Sequence, residues 1–232
     1  MPRHIGIVAL SPEGSAVCYR RLGHRIGEIA EPAQRPFVTL HNRPFTNYLE
    51  ALNRQDWNAV GAMLRESSAV LHHAGADFCI LPDNVAHHAL PLAEGNSAIP
   101  WVNMISLVAE HAHARGFKNV GIIGTRLVTN GSTYQIALGL KGIHLHVPPA
   151  EDTDAVDHII FNEAVHGQVK AASSQRVLEV LRRLAESGCE AVILGSSEAS
   201  CMFAVCDSPV PVIDPIDLLT ARAMAMACAA GR

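Results

Sequence analysis

The sequence predicts an α/β protein built from two similar lobes, and two observations lead to that prediction. Short β-branched runs alternate with longer segments whose apolar residues recur at helical spacing, which is typical of a parallel sheet covered by helices. In addition, the two halves of the 232-residue chain resemble each other. We therefore expect two pseudo-symmetric lobes, each a parallel sheet flanked by helices.

The internal repeat consists of three matched blocks at nearly one offset. Residues 5–8 recur as residues 120–123, residues 75–84 recur in outline as residues 188–197, and residues 99–107 recur as residues 210–218. In the middle block, an apolar run ends in two small polar residues both times: Asp83-Asn84 and Ser196-Ser197. The repeat thus pairs Asp83 with Ser196.

The elements follow from the apolar patterns in chain order. Predicted strands cover residues 5–9, 37–41, 78–81, 101–103, 120–124, 143–147, 191–194 and 210–213. Helical spacing is clearest in residues 57–73, 155–165 and 174–187. We expect the first lobe to span residues 1–98, completed by a C-terminal helix at 214–232, and the second lobe to span residues 99–213.

Composition excludes several classes of function. A formal net charge of −4 with scattered arginines disfavours nucleic acid as a partner. No apolar run approaches the length of a membrane span and no signal-peptide pattern is present, which predicts a cytoplasmic protein without a membrane partner. The six cysteines form no C-x-x-C pair and are expected to be reduced.

Cofactors are not expected either. Thirteen histidines are present, but none shows a metal-ligand spacing such as H-E-x-x-H, so we expect no metal. The chain has no G-x-G-x-x-G motif or P-loop for a nucleotide, and no lysine stands in a phosphate-binding loop as pyridoxal phosphate would require.

Polar loops follow four of the predicted strands. In parallel sheets, ligands bind beyond the carboxyl ends of the strands, where helix N-termini offer free N–H groups. The loops begin at Ser11, Asp83, Thr125 and Ser196. Each of these residues is also a common helix cap, but their joint recurrence predicts a pocket for a small polar ligand, such as a carboxylate.

These loops resemble those of the cofactor-independent aspartate/glutamate racemase family. Its members carry a Gly-Gly-Met-Gly/Ser-Pro-Glu-x-Thr loop, which is one residue longer than the loop here, and the motifs Pro-Cys-Asn-Thr-x-His, Gly-Thr-x-x-Thr followed by a Tyr, and Leu-Gly-Cys-Thr-Glu. The matching stretches here are Ser11-Pro-Glu-Gly-Ser15, Pro82-Asp-Asn-Val-Ala-His87, Gly124-Thr-Arg-Leu-Val-Thr129 with Tyr134, and Leu194-Gly-Ser-Ser-Glu198. The resemblance runs over nearly the whole chain. It implies two α/β lobes with the active site in the cleft between them, an amino acid or related carboxylate as substrate, and a homodimer.

The two positions that carry the chemistry in that family differ here. Relatives use a cysteine on each lobe, one removing the α-proton and the other returning a proton on the opposite face, whereas this chain has Asp83 and Ser196. A carboxylate is a credible general base. A serine hydroxyl is a poor proton donor or acceptor unless a neighbouring base activates it.

The resemblance also suggests substrate-binding residues. Asn84 and Ser197 would bind the α-carboxylate and amino group, with Ser11, Thr125 and Val85 beside them. His87 could share a proton with the pocket or simply pack its helix, and Glu198 could orient either the amino group or Ser196. Arg43 is the candidate for a distal carboxylate, although its local pattern differs from that of aspartate-specific relatives.

Three functions therefore remain open. The chain could be a racemase or epimerase, a one-base lyase, dehydratase or decarboxylase acting on a small amino or hydroxy acid, or a ligand-binding homologue without turnover. A hydrolase is disfavoured, because the turn at Ser196 lacks the second glycine of G-x-S-x-G.

Overall fold

The computed structural model describes residues 1–201 and 208–229, and for Ser200 and Cys201 the backbone alone. The thiols expected at Cys201 and Cys206 and the last three residues of the predicted C-terminal helix lie outside the described atoms. The chain divides into two compact units, one comprising Met1–Met104 and the chain from Ile216, the other comprising Ile105–Pro215.

The first unit contains a parallel sheet of four strands in the order β2-β1-β3-β4. Its strands are β1 (Ile5–Ala9), β2 (Val38–Asn42), β3 (Phe78–Ile80) and β4 (Trp101–Val102). Its helices are α1 (Pro12–Gly27), α2 (Phe45–Asn53), α3 (Trp57–His73) and α4 (Leu90–Glu94), with 3₁₀ turns at Pro32–Gln34 and Ala86–Ala89.

The second unit repeats that sheet, again parallel, in the order β6-β5-β7-β8. Its strands are β5 (Asn119–Gly124), β6 (His144–His146), β7 (Ala191–Gly195) and β8 (Val212–Ile213). The helices that follow in the chain are α5 (Met104–Ala114), α6 (Arg126–Thr129), α7 (Ser132–Gly139), α8 (Ala150–Asn162), α9 (Ala171–Glu186) and α10 (Pro215–Ala229), with 3₁₀ turns at Ala164–His166 and Glu198–Cys201.

The structure confirms the predicted fold class. All eight predicted strands are present, each end within two residues of its predicted place, and both sheets are parallel with the same strand order. The helix predicted at 57–73 has those bounds, whereas the helix predicted at 155–165 begins earlier, at Ala150. The early start is stabilised by Glu151 and Asp152, whose negative charges favour a helix N-terminus.

The predicted boundary between the lobes requires a correction. Residues 99–104 were assigned to the second lobe, but β4 pairs with β3, with Cys79 opposite Trp101 and Ile80 opposite Val102. These residues therefore belong to the first unit. The apolar run at 101–103 predicts a strand, but it does not reveal which strand will be the hydrogen-bonding neighbour.

The central strands are buried on both faces, since every residue of β1 and β7 is buried. Gly6 and Gly121 occupy equivalent positions in the two sheets and let a helix approach closely. A Cβ on Gly6 would lie 3.2 Å from the Leu71 side chain of α3, and one on Gly121 would lie 3.1 Å from the Leu184 side chain of α9. Equivalent glycines thus admit equivalent packing, which explains why this short motif recurs.

Gly124 and Gly195 bring the last residues of β5 and β7 together, immediately before Thr125 and Ser196. A Cβ added to Gly124 would lie 2.7 Å from the carbonyl oxygen of Gly195, a distance that backbone atoms cannot relieve by rotation. None of the described helices is long and apolar enough to cross a membrane.

We expect Gly124→Ala to lower the free energy of unfolding by about 1–3 kcal/mol, because the new methyl group overpacks against backbone. Gly23→Ala is the matched control: Gly23 lies within α1 with nothing near its missing Cβ, so alanine should stabilise the protein by up to about 1 kcal/mol. Thermal and urea unfolding would measure both. Equal effects of the two substitutions would contradict the close approach at Gly124.

Candidate active site

Four predicted site residues of the first unit gather at the carboxyl ends of its strands. Ser11 follows β1, Arg43 follows β2, and Asp83 and Asn84 follow β3. The Arg43 backbone N–H donates to the Ala9 carbonyl at 3.4 Å, which joins the ends of β1 and β2. Ser11, Asp83 and Asn84 are buried, and the Ser11 hydroxyl caps α1 by accepting from the Gly14 N–H at 3.3 Å.

Asp83 is a buried carboxylate with a fixed orientation. Its Oδ1 accepts a hydrogen bond from the Tyr48 hydroxyl at 3.0 Å and another from the Ala86 backbone N–H at 2.8 Å. Asp83 is 8% exposed and Tyr48 is 3% exposed. A buried carboxylate requires such donors to offset the loss of water. These two hydrogen bonds hold Oδ1 and thereby fix the plane of the carboxylate.

Tyr48 was not predicted from the sequence. It lies on α2, 35 residues before Asp83, and reaches the carboxylate only because α2 follows the end of β2. Tyr48 is buried on α2, and its hydroxyl group contacts the Asp83 carboxylate. A single tyrosine at helical spacing predicts only a residue that packs in the core. The sequence pattern therefore gave no indication of a contact with Asp83.

His87 holds the turn after Asp83 and is fixed in one neutral tautomer. Its Nε2 accepts from the Met104 backbone N–H at 3.0 Å, so the ring proton sits on Nδ1 and is donated to the Asp83 carbonyl oxygen at 2.6 Å. Burial lowers the pKa of His87 from 6.5 to about 4. Both ring nitrogens are therefore occupied by backbone, and His87 positions Asp83 instead of sharing a proton with the pocket.

Two of the predicted residues of this unit, Val85 and Arg43, are less enclosed. Val85 is half-buried and precedes the 3₁₀ turn Ala86–Ala89. Arg43 forms an ion pair with Glu66 of α3, whose side chain is 62% exposed. A substrate carboxylate at Arg43 would have to compete with Glu66.

The predicted residues of the second unit occupy the corresponding ends of its strands. Thr125 follows β5, and Ser196, Ser197 and Glu198 follow β7; all four are buried. The Ser196 hydroxyl donates to Glu198 Oε2 at 2.7 Å. The sequence left open whether Glu198 orients the substrate amino group or Ser196, and the structure contains the contact with Ser196.

Thr125 offers a buried hydroxyl that is still free to bind a ligand. Its Oγ1 is inaccessible to water and has no hydrogen-bond partner among the described residues. The next N–H along the chain, that of Arg126, is held by Asp157 Oδ1 at 2.8 Å, a contact that the sequence did not predict. A buried hydroxyl without a hydrogen-bond partner lowers the stability of the protein. A ligand that formed a hydrogen bond with Thr125 would remove this cost.

Tyr134 is a buried residue that remains a hydrogen-bond donor at neutral pH. Burial raises the pKa of Tyr134 above its usual value, and the negative charge of Asp214 raises it further. The hydroxyl therefore keeps its proton.

The buried cysteines Cys79 and Cys18 are not reactive thiolates. Burial raises the pKa of Cys79, four residues before Asp83, to about 12 and that of Cys18 to about 12. Both are free thiols without thiolate character near neutral pH. In the part of the chain that the structure describes, no group of three His, Cys, Asp or Glu side chains is placed to hold a metal ion.

Comparison with known proteins gives a consistent family. A family model described as Asp/Glu/hydantoin racemase matches residues 7–223. Among solved structures, a candidate Asp/Glu racemase from Yersinia pestis is 23% identical with a TM-score of 0.86, covering 97% of this chain and 99% of that one. An aspartate racemase homologue from Pyrococcus horikoshii OT3 is 24% identical with a TM-score of 0.83 and the same coverage.

The aspartate racemase of Picrophilus torridus is 19% identical with a TM-score of 0.79, covering 97% of this chain and 94% of that one. At these identities the three likenesses establish the fold, and the family model establishes the family.

We expect the stability of the protein to fall as the pH drops from about 6.5 toward 4, because unfolded His87 takes up a proton in that range and folded His87 does not. The full effect is about 3 kcal/mol and is absent above pH 6.5. Urea unfolding between pH 7.5 and 4.5 would show a smaller pH dependence in His87→Gln than in the parent.

His72→Gln is the control for this measurement, because His72 is exposed on α3 and has no such burial. The control should retain the pH dependence of the parent protein. An unchanged pH dependence in His87→Gln would contradict the buried neutral histidine.

Proposed function

This chain belongs to the Asp/Glu/hydantoin racemase family, and from that premise we propose that it is a cofactor-independent racemase or epimerase acting at the α-carbon of a small amino acid. Asp83 is its base on one face of the substrate, and Ser196 belongs to the acid–base group for the other face. The substrate class is aspartate-like or glutamate-like, as the names of the similar proteins suggest.

The observation that carries the proposal is the setting of the Asp83 carboxylate. It stands at the carboxyl end of a central parallel strand, where ligands bind in such sheets, and it is buried. The Tyr48 hydroxyl and the Ala86 N–H both donate to Oδ1, and these two bonds fix the orientation of the carboxylate that accepts the substrate proton. A fixed, desolvated carboxylate is suited to general-base chemistry.

Removal of an α-proton also needs donors that stabilise the charge developing on the substrate carboxylate. Ser11 and Asn84 in the first unit and Thr125 and Ser197 in the second are buried polar groups at strand ends. The unpartnered Oγ1 of Thr125 supports a bond to the substrate. We assign these four residues to substrate binding, with Val85 lining the same loop.

A second candidate function is a one-base lyase or decarboxylase on a small amino or hydroxy acid. The observation that favours it is Ser196, since a hydroxyl replaces the thiol that two-sided proton transfer uses in relatives. Deuterated water separates the two candidates when a panel of amino acids is incubated with the protein. A racemase puts deuterium into both enantiomers, whereas a lyase releases ammonia, water or carbon dioxide.

Asp83→Asn should reduce racemisation at least about 100-fold, because the amide cannot accept the α-proton. The asparagine oxygen can still accept from Tyr48 and Ala86, so the fold should be retained. Chiral chromatography of the product measures the rate of racemisation, and circular dichroism of the variant checks that the fold is retained.

Asp217→Asn serves as the control, since Asp217 lies on α10 with a 57% exposed side chain paired with Arg25. An exposed pair of this kind contributes little to stability. Retention of full turnover by Asp83→Asn would rule out Asp83 as the base. Release of ammonia or carbon dioxide by the parent protein would favour the lyase, and binding without exchange would favour the inactive homologue.

Arg43 provides a test of side-chain specificity. If its guanidinium binds the distal carboxylate, Arg43→Gln should raise KM about 10-fold for dicarboxylic substrates and leave monocarboxylic amino acids unaffected. Glu66→Gln should lower KM for dicarboxylic substrates, because it removes the competing carboxylate. Steady-state kinetics on both substrate classes measures the difference.

Arg54→Gln is the matched control, because Arg54 forms an exposed ion pair with Glu50 at the end of α2. A rise in KM of equal size for both substrate classes would assign Arg43 to the structure alone. Homodimer assembly and a cytoplasmic location remain predictions, which sedimentation and cell fractionation would test.

A further inference from the structure

We propose that Glu198 is the proton acceptor behind Ser196, so that the acid–base group of the second unit is a serine–glutamate relay. This inference rests on the proposed function and deepens it, because it explains how a hydroxyl can stand where relatives have a thiol. Ser196 touches the substrate, and Glu198 acts through Ser196.

The geometry of the pair supports direct proton transfer. The hydrogen bond from Ser196 Oγ to Glu198 Oε2 is 2.7 Å long. This distance lies within the range of charge-assisted hydrogen bonds from a hydroxyl to a carboxylate. Ser196 is 5% exposed and Glu198 is 7% exposed, so bulk water does not compete for the bond. The turn itself is fixed, since the Ala199 N–H donates to the Ser196 carbonyl oxygen at 3.1 Å.

The chemistry of a lone serine explains the need for the relay. An unassisted hydroxyl is a weak base, because accepting a proton would make it a cationic oxonium and losing one requires a base. With Glu198 in place, the α-carbon–hydrogen bond breaks, its proton bonds to Ser196 Oγ, and the proton of Ser196 passes to Glu198 Oε2. The electron pair of the broken bond stays on the substrate.

The proton balance of the reverse step is the same. Protonated Glu198 returns its proton to Ser196 Oγ, while the hydroxyl proton moves to the substrate carbanion. Serine is therefore neutral before and after each step, and the charge change occurs on a carboxylate. Each unit would then present one carboxylate, Asp83 directly and Glu198 through a hydroxyl.

Glutamate could instead hold the turn after β7 without taking part in proton transfer. Glu198 begins the 3₁₀ turn Glu198–Cys201, where a negative charge is favourable. The two roles differ in one respect: a relay is needed only while position 196 is a hydroxyl. A thiol can ionise by itself and would make Glu198 dispensable.

The test uses deuterium exchange at the α-carbon of each enantiomer, measured separately with aspartate and glutamate in deuterated water. The exchange that survives in Asp83→Asn identifies the enantiomer served by Ser196. We expect Glu198→Gln to reduce that exchange at least about 100-fold, while the exchange of the other enantiomer changes less than about threefold. Glutamine keeps an oxygen that accepts from Ser196.

The decisive comparison repeats Glu198→Gln in a Ser196→Cys background. The relay predicts that the substitution changes exchange less than about threefold there, and that the pH profile of Ser196→Cys follows the thiol. Equal losses in the serine and cysteine backgrounds would overturn the relay and leave Glu198 as a structural residue.

Glu110→Gln is the control, since Glu110 is exposed on α5 of the same unit, and it should leave both exchanges unchanged. The failure of the relay and the failure of the proposed function are distinguishable. Exchange into both enantiomers that is insensitive to Glu198→Gln overturns the relay alone. Exchange into neither enantiomer from either acid overturns the proposed function and the relay together.

Discussion

Burial of a carboxylate at the carboxyl end of the third strand in the first sheet is the constraint on which that unit's site depends. An unpaired carboxylate would be too costly to desolvate, so the surrounding structure must supply donors. Tyr48 from α2 and the N–H of Ala86 supply them, and His87 fixes the turn that presents Ala86. The helix after β2 and the turn after β3 are thus tied to the Asp83 side chain, and His87 ties the start of α5 to the Asp83 backbone carbonyl.

The second sheet meets a related requirement with different residues. There the buried carboxylate after β7 is Glu198, which accepts a hydrogen bond from the Ser196 hydroxyl two residues earlier in the chain. The duplicated strand order gives both units the same place for polar groups. Equal topology therefore coexists with unequal chemistry, because the fold fixes where a strand ends and leaves the identity of the next side chain free.

The sequence predicted the fold class correctly, and it predicted polar groups at the strand ends, for identifiable reasons. Buried parallel strands such as β1 and β7 are uninterrupted apolar runs, and their polar ends stand out by contrast. Residues whose role depends on a distant partner were harder. Tyr48 was missed, the two roles left open for His87 could be separated only by its contact with Met104, and the guanidinium of Arg43 is paired with Glu66.

The sequence by itself determined the alternation of strands and helices, the repeat, the family and the pairing of Asp83 with Ser196 in the repeated block. Each of these features depends on short stretches of residues that are close together in the sequence. Only the tertiary structure decided that β4 joins the first sheet, that Tyr48 orients Asp83, and that His87 is held neutral. Such pairings depend on which distant segments the folded backbone brings within about 3 Å, the length of a hydrogen bond, and no local pattern records that.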